Sequence, residues 1–159
     1  MLNSRNNIII FSKAIQTGKT TALFNLIKKY EHVGGFLTPD VNGKRMLYDI
    51  AANKYHPFET TTDTLPIQAI GKFFFLQSTF KTGKEIISQW NKENIFIIDE
   101  VGKLEIEMDM GFEPMIRNVT EDFKRNNYNG TLLLVIRDTL LEKAINKYGL
   151  KDVKITNHL

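Results

Sequence analysis

The stretch from Ile8 to Thr21 constrains the fold of this chain more than any other part of the sequence. Three isoleucines, Ile8 to Ile10, predict a short buried strand, and Gly18 to Thr21 marks the point where a helix begins. A strand, a tight loop and a helix in this order bring backbone N–H groups and the positive end of a helix dipole together. Because both favour negative charge, the stretch predicts a phosphate-binding loop.

Nine residues form the predicted loop and the start of its helix: Lys13, Ala14, Ile15, Gln16, Thr17, Gly18, Lys19, Thr20 and Thr21. In such a loop the lysine side chain reaches the β- and γ-phosphates, and the following hydroxyl binds Mg²⁺. These roles fall to Lys19 and Thr20. The motif has glycine five residues before Gly18, where this chain has Lys13. A strained non-glycine residue costs about 1–3 kcal/mol, so the sequence leaves open whether Lys13 weakens phosphate binding.

A second polar feature follows the apolar run from Ile95 to Ile98. Four consecutive apolar residues predict a strand buried on both faces of a parallel sheet. Ligands of such sheets bind at the carboxyl ends of the strands, so Asp99 and the loop should share one edge. Asp99 is therefore expected to bind Mg²⁺ together with Thr20, and Glu100 to activate or orient an attacking water. In the alternative interpretation, Asp99 caps a turn and Glu100 is solvated.

Composition excludes several classes of protein. The 159 residues suit one domain, 1–159, and the absence of cysteine excludes a disulfide framework and a thiolate metal site. The apolar runs are only a few residues long, and the N-terminus lacks a signal-peptide core, so a cytoplasmic location without membrane contact is expected. The net charge is +3, and the basic residues are interspersed with acids, which does not indicate a nucleic-acid-binding surface.

Strand and helix patterns alternate along the chain. Strands are predicted at 7–11, 36–38, 45–50, 54–58, 73–76, 95–98, 131–136 and 153–155, and helices at 18–30, 79–90, 110–125 and 139–148. Gly34-Gly35 is interpreted as the stop of the first helix, Asn42-Gly43 as a hairpin turn, and residues 73–76 as an edge strand. This order predicts an α/β fold: a three-layer α/β/α sandwich with a mostly parallel central sheet and an antiparallel hairpin insertion.

Taken together, the motifs resemble the small cancer-related (thermophile-type) nucleoside triphosphatases, which are P-loop proteins of similar length. Four stretches carry the resemblance: Gln16 to Thr21, Gly34 to Val41, Arg45 to Ile50 and Asp99 to Glu105. The last matches the family's Asp-Glu-Ile-Gly-Lys-Met-Glu closely and is the most specific. Leu47 and Tyr48 depart from the family's Arg-x-Gly-Phe-x-Ile element.

The resemblance implies a P-loop NTPase fold and Mg²⁺-dependent hydrolysis of ATP or GTP, with loose base preference, to nucleoside diphosphate and phosphate. It assigns transition-state stabilisation to Lys19, the metal to Thr20 and Asp99, and activation of water to Glu100. Three further cations are either solvated or face the same edge: Arg45, Lys103 and Arg137.

Two alternatives to hydrolysis remain. A phosphotransferase would need an acceptor pocket and usually an arginine-rich lid, and the sequence shows no such lid. A nucleotide-binding switch with little turnover is the other alternative, and Lys13 is its main support. Trp90 and the aromatic residues 73–75 are expected in the core, although one of them could stack on a nucleobase.

Overall fold

The computed structural model describes residues 7–14, 17–62, 65–91, 93–125 and 128–159. The strands, in chain order, are β1 (Ile8–Lys13), β2 (Val33–Leu37), β3 (Asp40–Val41), β4 (Lys44–Asp49), β5 (Lys54–Pro57), β6 (Glu59–Thr60), β7 (Ile67–Ile70), β8 (Phe73–Leu76), β9 (Ile95–Asp99), β10 (Thr131–Arg137) and β11 (Lys154–Thr156). The helices are α1 (Lys19–Lys29), α2 (Gln77–Ser88), α3 (Lys103–Met108), α4 (Met115–Arg125) and α5 (Leu141–Tyr148).

Eight strands form the central sheet, in the order β11-β1-β10-β9-β2-β4-β3, with β5 paired to β4. The strands from β11 to β2 run parallel, whereas β3, β4 and β5 pair antiparallel. The Asn42-Gly43 turn joins β3 to β4, as the sequence predicts. One strand, β10, separates the end of β1 from the end of β9, so the phosphate loop and the acidic pair share one edge of the sheet.

Apolar side chains cover both faces of this sheet. In β1, Ile8 and Ile10 belong to one core cluster and Phe11 to the other, because successive strand residues point to opposite faces. The second cluster receives Leu23 of α1, and the first receives residues of α2, α3, α4 and α5. Helices therefore lie on both faces of a mostly parallel sheet, and the predicted three-layer α/β fold is confirmed.

A separate three-stranded sheet, in the order β6-β8-β7, lies beside the antiparallel strands. Its β8 is the middle strand, so the prediction of an edge strand at residues 73–76 is wrong; β6 and β7 lacked a clear sequence pattern. Phe58 joins this sheet to the main body, with ring centroids 5.0 Å from Phe75 and 4.9 Å from Phe80. Phe73 was expected in the core, but it is 45% exposed and lies outside it.

Two predicted boundaries are also wrong. Gly34 and Gly35 do not stop the first helix, which ends at Lys29; they lie inside β2. A Cβ on Gly35 would lie 1.9 Å from the carbonyl oxygen of Ile97, so the close approach of β9 requires glycine there. The helix expected at 110–125 begins only at Met115, and the short α3 precedes it.

Within the described residues, no helix is both long enough and apolar enough to cross a membrane.

Candidate active site

The phosphate loop joins the end of β1 to the start of α1. Gly18 has φ 82°, in the left-handed region that favours glycine, and its carbonyl accepts the N–H of Ala22. The N–H groups of Lys19, Thr20 and Thr21 precede that first helical bond and have no partner within the helix. An anion placed before α1 would meet these donors and the positive end of the helix dipole.

Lys13 occupies the last position of β1 and pairs in register with Arg137 of β10. The backbone of Lys13 does not lie in the left-handed region, so replacement of the motif glycine by Lys13 causes no strain of that kind. The Lys13 ammonium donates to the carbonyl of Thr17 at 3.3 Å, and the Thr17 hydroxyl donates to the carbonyl of Ala14 at 2.6 Å. Two further predicted loop residues, Ile15 and Gln16, lie outside the described residues.

Asp99 ends β9 and is buried, with 5% of its surface exposed. Its Oδ2 accepts the backbone N–H of Thr38 at 3.0 Å. The pKa of the Asp99 carboxyl is raised to about 6, mainly by burial and to a smaller extent by the negative charge of Glu100. The Thr38 N–H and the positive charges of Arg45 and Lys19 act in the opposite direction. The positive charge of Lys19 therefore acts on the Asp99 carboxyl, and both are predicted site residues.

Glu100 is held by two arginines from other strands. Its Oε1 accepts hydrogen bonds from Nε and Nη2 of Arg137 at 3.1 and 2.9 Å. Its Oε2 lies 3.8 Å from Nη1 of Arg45. The Glu100 side chain is 13% exposed and each arginine 35%, so the carboxylate is largely shielded while the cations still reach solvent. Both arginines therefore face the acidic edge. The sequence had left open whether they do so or are solvated.

Antiparallel pairing places Arg45 at this edge. Arg45 lies in β4 opposite Asp40 of β3, directly after the hairpin turn. Its backbone N–H donates to Oε2 of Glu59 at 2.9 Å, which ties the hairpin to β6. The insertion predicted from the Asn-Gly turn therefore supplies a cation to Glu100.

Glu105 fixes the segment that follows the acidic pair. Its Oε2 accepts the N–H of Gly102 at 3.2 Å, and its Oε1 accepts the N–H of Phe112 at 3.4 Å. Burial raises the pKa of Glu105 to about 7, although these N–H groups lower it. Sequence reasoning assigned no role to Glu105; the signal was a glutamate three residues after Gly102, the residue that precedes α3, which is the spacing of a capping box.

The charges at this edge suit a polyphosphate with a divalent cation. Lys103 is the third cation for which the sequence left open a position at this edge. It lies at the start of α3 and is exposed. Within the described residues, no three His, Cys, Asp or Glu side chains are grouped to hold a metal. Mg²⁺ usually binds through one or two protein oxygens together with substrate phosphates, and the Thr20 hydroxyl and the Asp99 carboxylate are oxygens of that kind.

The sheet order, the loop after β1 and the acidic pair after β9 define the fold of a P-loop nucleoside triphosphatase. More particularly, the chain belongs to the NTPase family, whose model matches residues 8–157. The family resemblance inferred from the motifs is thereby confirmed.

Known relatives agree with this assignment. The chain is 32% identical over 119 residues to nucleoside-triphosphatase THEP1 of Saccharolobus solfataricus. That match covers 69% of this chain and 65% of the relative, somewhat under two thirds of its length.

Two solved structures share the fold at 18% identity. The crystal structure of THEP1 from the hyperthermophile Aquifex aeolicus has a TM-score of 0.72, with 93% of this chain and 87% of that chain covered. The solution structure of a human cancer-related nucleoside triphosphatase has a TM-score of 0.63, with 97% and 88% covered.

Proposed function

We propose that residues 1–159 form one domain that hydrolyses nucleoside triphosphates to diphosphate and phosphate and requires Mg²⁺. The observation that carries this proposal is Glu100, a carboxylate held by two arginines directly after Asp99, at the edge shared with the phosphate loop. Membership of the NTPase family and the name of the THEP1 relative support the same reaction.

The phosphate chain would lie along the N-terminus of α1. Backbone N–H groups of the loop would bind it, and Lys19 would neutralise charge on the γ-phosphoryl group. Thr20 and Asp99 would hold Mg²⁺, which when bound would supply further neutralisation of phosphate charge. The electrostatic effect of Lys19 on Asp99 supports this placement, because the charge of the proposed phosphate-binding lysine reaches the proposed metal-binding carboxylate.

Glu100 would orient the attacking water and accept its proton. Arg137 donates twice to one carboxylate oxygen, so the side chain is fixed before the substrate arrives. A fixed carboxylate does not need to reorganise during the reaction, which is where preorganised groups gain their effect. These groups act on phosphates and metal rather than on a nucleobase, so we expect both ATP and GTP to serve as substrates.

Phosphate release from ATP and GTP tests the proposal, measured with Mg²⁺ and with EDTA. We expect release only with Mg²⁺. The rate should fall at least about tenfold in Glu100→Gln and in Lys19→Ala, since a catalytic acid–base group, or a cation that donates a hydrogen bond to the phosphate, contributes that much or more. Glu121→Gln is the matched control, because Glu121 pairs with Lys124 at the surface and should leave release unchanged.

Retained release in Glu100→Gln would contradict the role of Glu100. Tight nucleotide binding by the wild type without any release would contradict hydrolysis and favour the nucleotide-binding switch. Transfer to an acceptor is the remaining alternative, and one feature of the structure favours it as a second reaction of the same site.

A further inference from the structure

A cavity of about 610 Å³ opens beside the acidic edge. Its polar end contains Glu100, Arg45 and Arg137, the three side chains that form the ion-pair cluster of the candidate active site. The rest of its lining includes five phenylalanines, among them Phe73 and Phe75 of β8, together with charged side chains such as Lys72. Pockets for small molecules usually have volumes of roughly 300–1,000 Å³, so this one has room for a nucleoside-sized molecule.

The cavity reaches Glu100 without contacting the described part of the phosphate loop. It is lined by residues of the β2–β4 side of the sheet and of the small β6-β8-β7 sheet, and none of the described loop residues lines it. In the proposed triphosphatase site, the γ-phosphate of a triphosphate bound at the loop would lie toward Asp99 and Glu100. A group bound in the cavity beside Glu100 would therefore approach the γ-phosphate from the position that the proposed function gives to the attacking water.

The aromatic wall suits a flat ring. Phe73 is 45% exposed, and its ring lies 6.5 Å from that of Phe75. The ammonium of Lys72 lies 5.4 Å from the centre of the Phe73 ring. Nucleobases stack on exposed aromatic rings irrespective of their hydrogen-bonding pattern, because every base has a π-face. At the opposite end, the Glu100 carboxylate can accept a hydrogen bond from a hydroxyl group.

We propose that this cavity binds a nucleoside, with its base against Phe73 and a ribose hydroxyl toward Glu100, and that the hydroxyl replaces water as phosphoryl acceptor. The inference rests on the proposed triphosphatase site. The hydroxyl oxygen forms a new bond to the γ-phosphorus while the bond between that phosphorus and the β,γ-bridging oxygen breaks. The nucleoside diphosphate leaves with the electron pair, the hydroxyl proton passes to Glu100, and the product is a nucleoside monophosphate.

Binding is tested without turnover. Adenosine, guanosine, cytidine and uridine are each added to protein saturated with ADP and Mg²⁺, so that the nucleotide site is already filled, and saturation-transfer NMR is recorded. We expect transfer to the base protons of at least one nucleoside. The affinity should fall about 5- to 150-fold in Phe73→Ala, the range expected for one stacked base.

The chain offers a matched control in Tyr30→Ala. Tyr30 is 47% exposed and also lies beneath a lysine, with Lys29 at 5.5 Å, but it follows α1, away from the cavity. Tyr30→Ala should bind nucleoside as the wild type does. Phe73→Tyr keeps the ring and should restore binding, which separates loss of stacking from loss of folding. Absence of nucleoside binding, or binding that Phe73→Ala leaves intact, would overturn the proposal.

Transfer is tested with γ-labelled ATP and the nucleoside that binds best. We expect label in the nucleoside monophosphate, and a ratio of that product to inorganic phosphate that falls at least about fivefold in Phe73→Ala but not in Tyr30→Ala. Label in inorganic phosphate alone would refute the acceptor role while leaving hydrolysis intact. No release in the absence of nucleoside would instead count against the proposed hydrolysis, whereas the binding experiment does not depend on turnover.

Discussion

The ends of β1 and β9 lie at the same edge of the sheet but are held in different ways. After β1, the phosphate loop is held by contacts within itself: Thr17 to Ala14 and Lys13 to Thr17, three and four residues apart. After β9, the acidic pair is held from a distance. Thr38 donates to Asp99 across 61 positions of the sequence, and Arg137 donates to Glu100 across 37.

This contrast separates two tasks of one site. The first N–H groups of α1 have no partner within the helix, which would suit a charged ligand that must enter and leave. Asp99 is buried, and both carboxylates of the acidic pair have partners from distant segments, which would suit groups that keep their positions during the proposed reaction. The proposed binding loop is thus encoded locally, whereas the position of the acidic pair depends on Thr38, which follows β2, and on the arginines of β4 and β10.

Removing a distant partner should have the largest effect. We expect Arg137→Ala to lower kcat about 100- to 1,000-fold, as loss of a preorganised charged donor does, because Glu100 loses both of its shorter hydrogen bonds. KM should change much less, since the loop is unaltered. Steady-state phosphate release checks both constants.

Arg117→Ala is the control, because Arg117 pairs with Asp109 at the surface, 3.5 Å away, and its loss should leave kcat unchanged. Arg137→Lys should recover only part of the rate, since lysine keeps the charge but not the two-donor geometry. A kcat for Arg137→Ala within about threefold of the wild type would mean that tertiary positioning of Glu100 contributes little to the reaction.

The second prediction concerns stability and sharpens the contrast through Glu105, which anchors the segment after the acidic pair. Its pKa is raised from 4.5 to about 7, mainly by burial, and the negative charge of Glu113 acts in the same direction. Between pH 4.5 and about pH 7 the native state binds more protons than the unfolded state, so the free energy of unfolding falls as pH rises. The shift corresponds to a loss of roughly 3 kcal/mol in the free energy of unfolding, and this loss is complete above pH 7.

Urea unfolding at pH 4 and pH 8 provides the measurement. The wild type should lose about 3 kcal/mol more than Glu105→Gln over this interval, because glutamine does not titrate. Glu105→Gln should itself be less stable at pH 4, since its amide NH₂ faces one of the two N–H groups that the carboxyl group accepts. Equal losses in the two proteins would show that Glu105 titrates normally.

The smallest effect is expected in the loop. Lys13→Gly restores the residue of the phosphate-loop motif, but Lys13 is already in an extended strand and makes one exposed hydrogen bond. Such a contact contributes about 0.5–1.5 kcal/mol at most, so the affinity for a non-hydrolysable ATP analogue should change by no more than about tenfold. Calorimetric titration measures it.

Lys13→Ala separates the side chain from the added backbone freedom of glycine. If glycine improves the affinity by well over tenfold and alanine does not, the loop is limited by its backbone at this position, and the contrast between a complete loop and a positioned acid must be revised.

The sequence predicted best where structure is local. β1, α1 and β9 follow from short apolar patterns with polar ends, and the hairpin turn follows from Asn42-Gly43. It predicted poorly where a distant segment decides. Gly34 and Gly35 look like a helix stop, and only the approach of Ile97 shows why a strand needs glycine there. Strand β8 became the middle of a small sheet because β6 and β7, weak in pattern, pair with it from both sides.

The sequence by itself determined the family, the fold class and the pairing of a phosphate loop with an acidic strand end, because each depends on neighbouring residues in a fixed order. The tertiary structure alone decided the partners of Glu100, since ion pairs over 37 or more positions depend on strand order and register. It alone also formed the aromatic cavity, because that space exists only where two sheets and α3 meet.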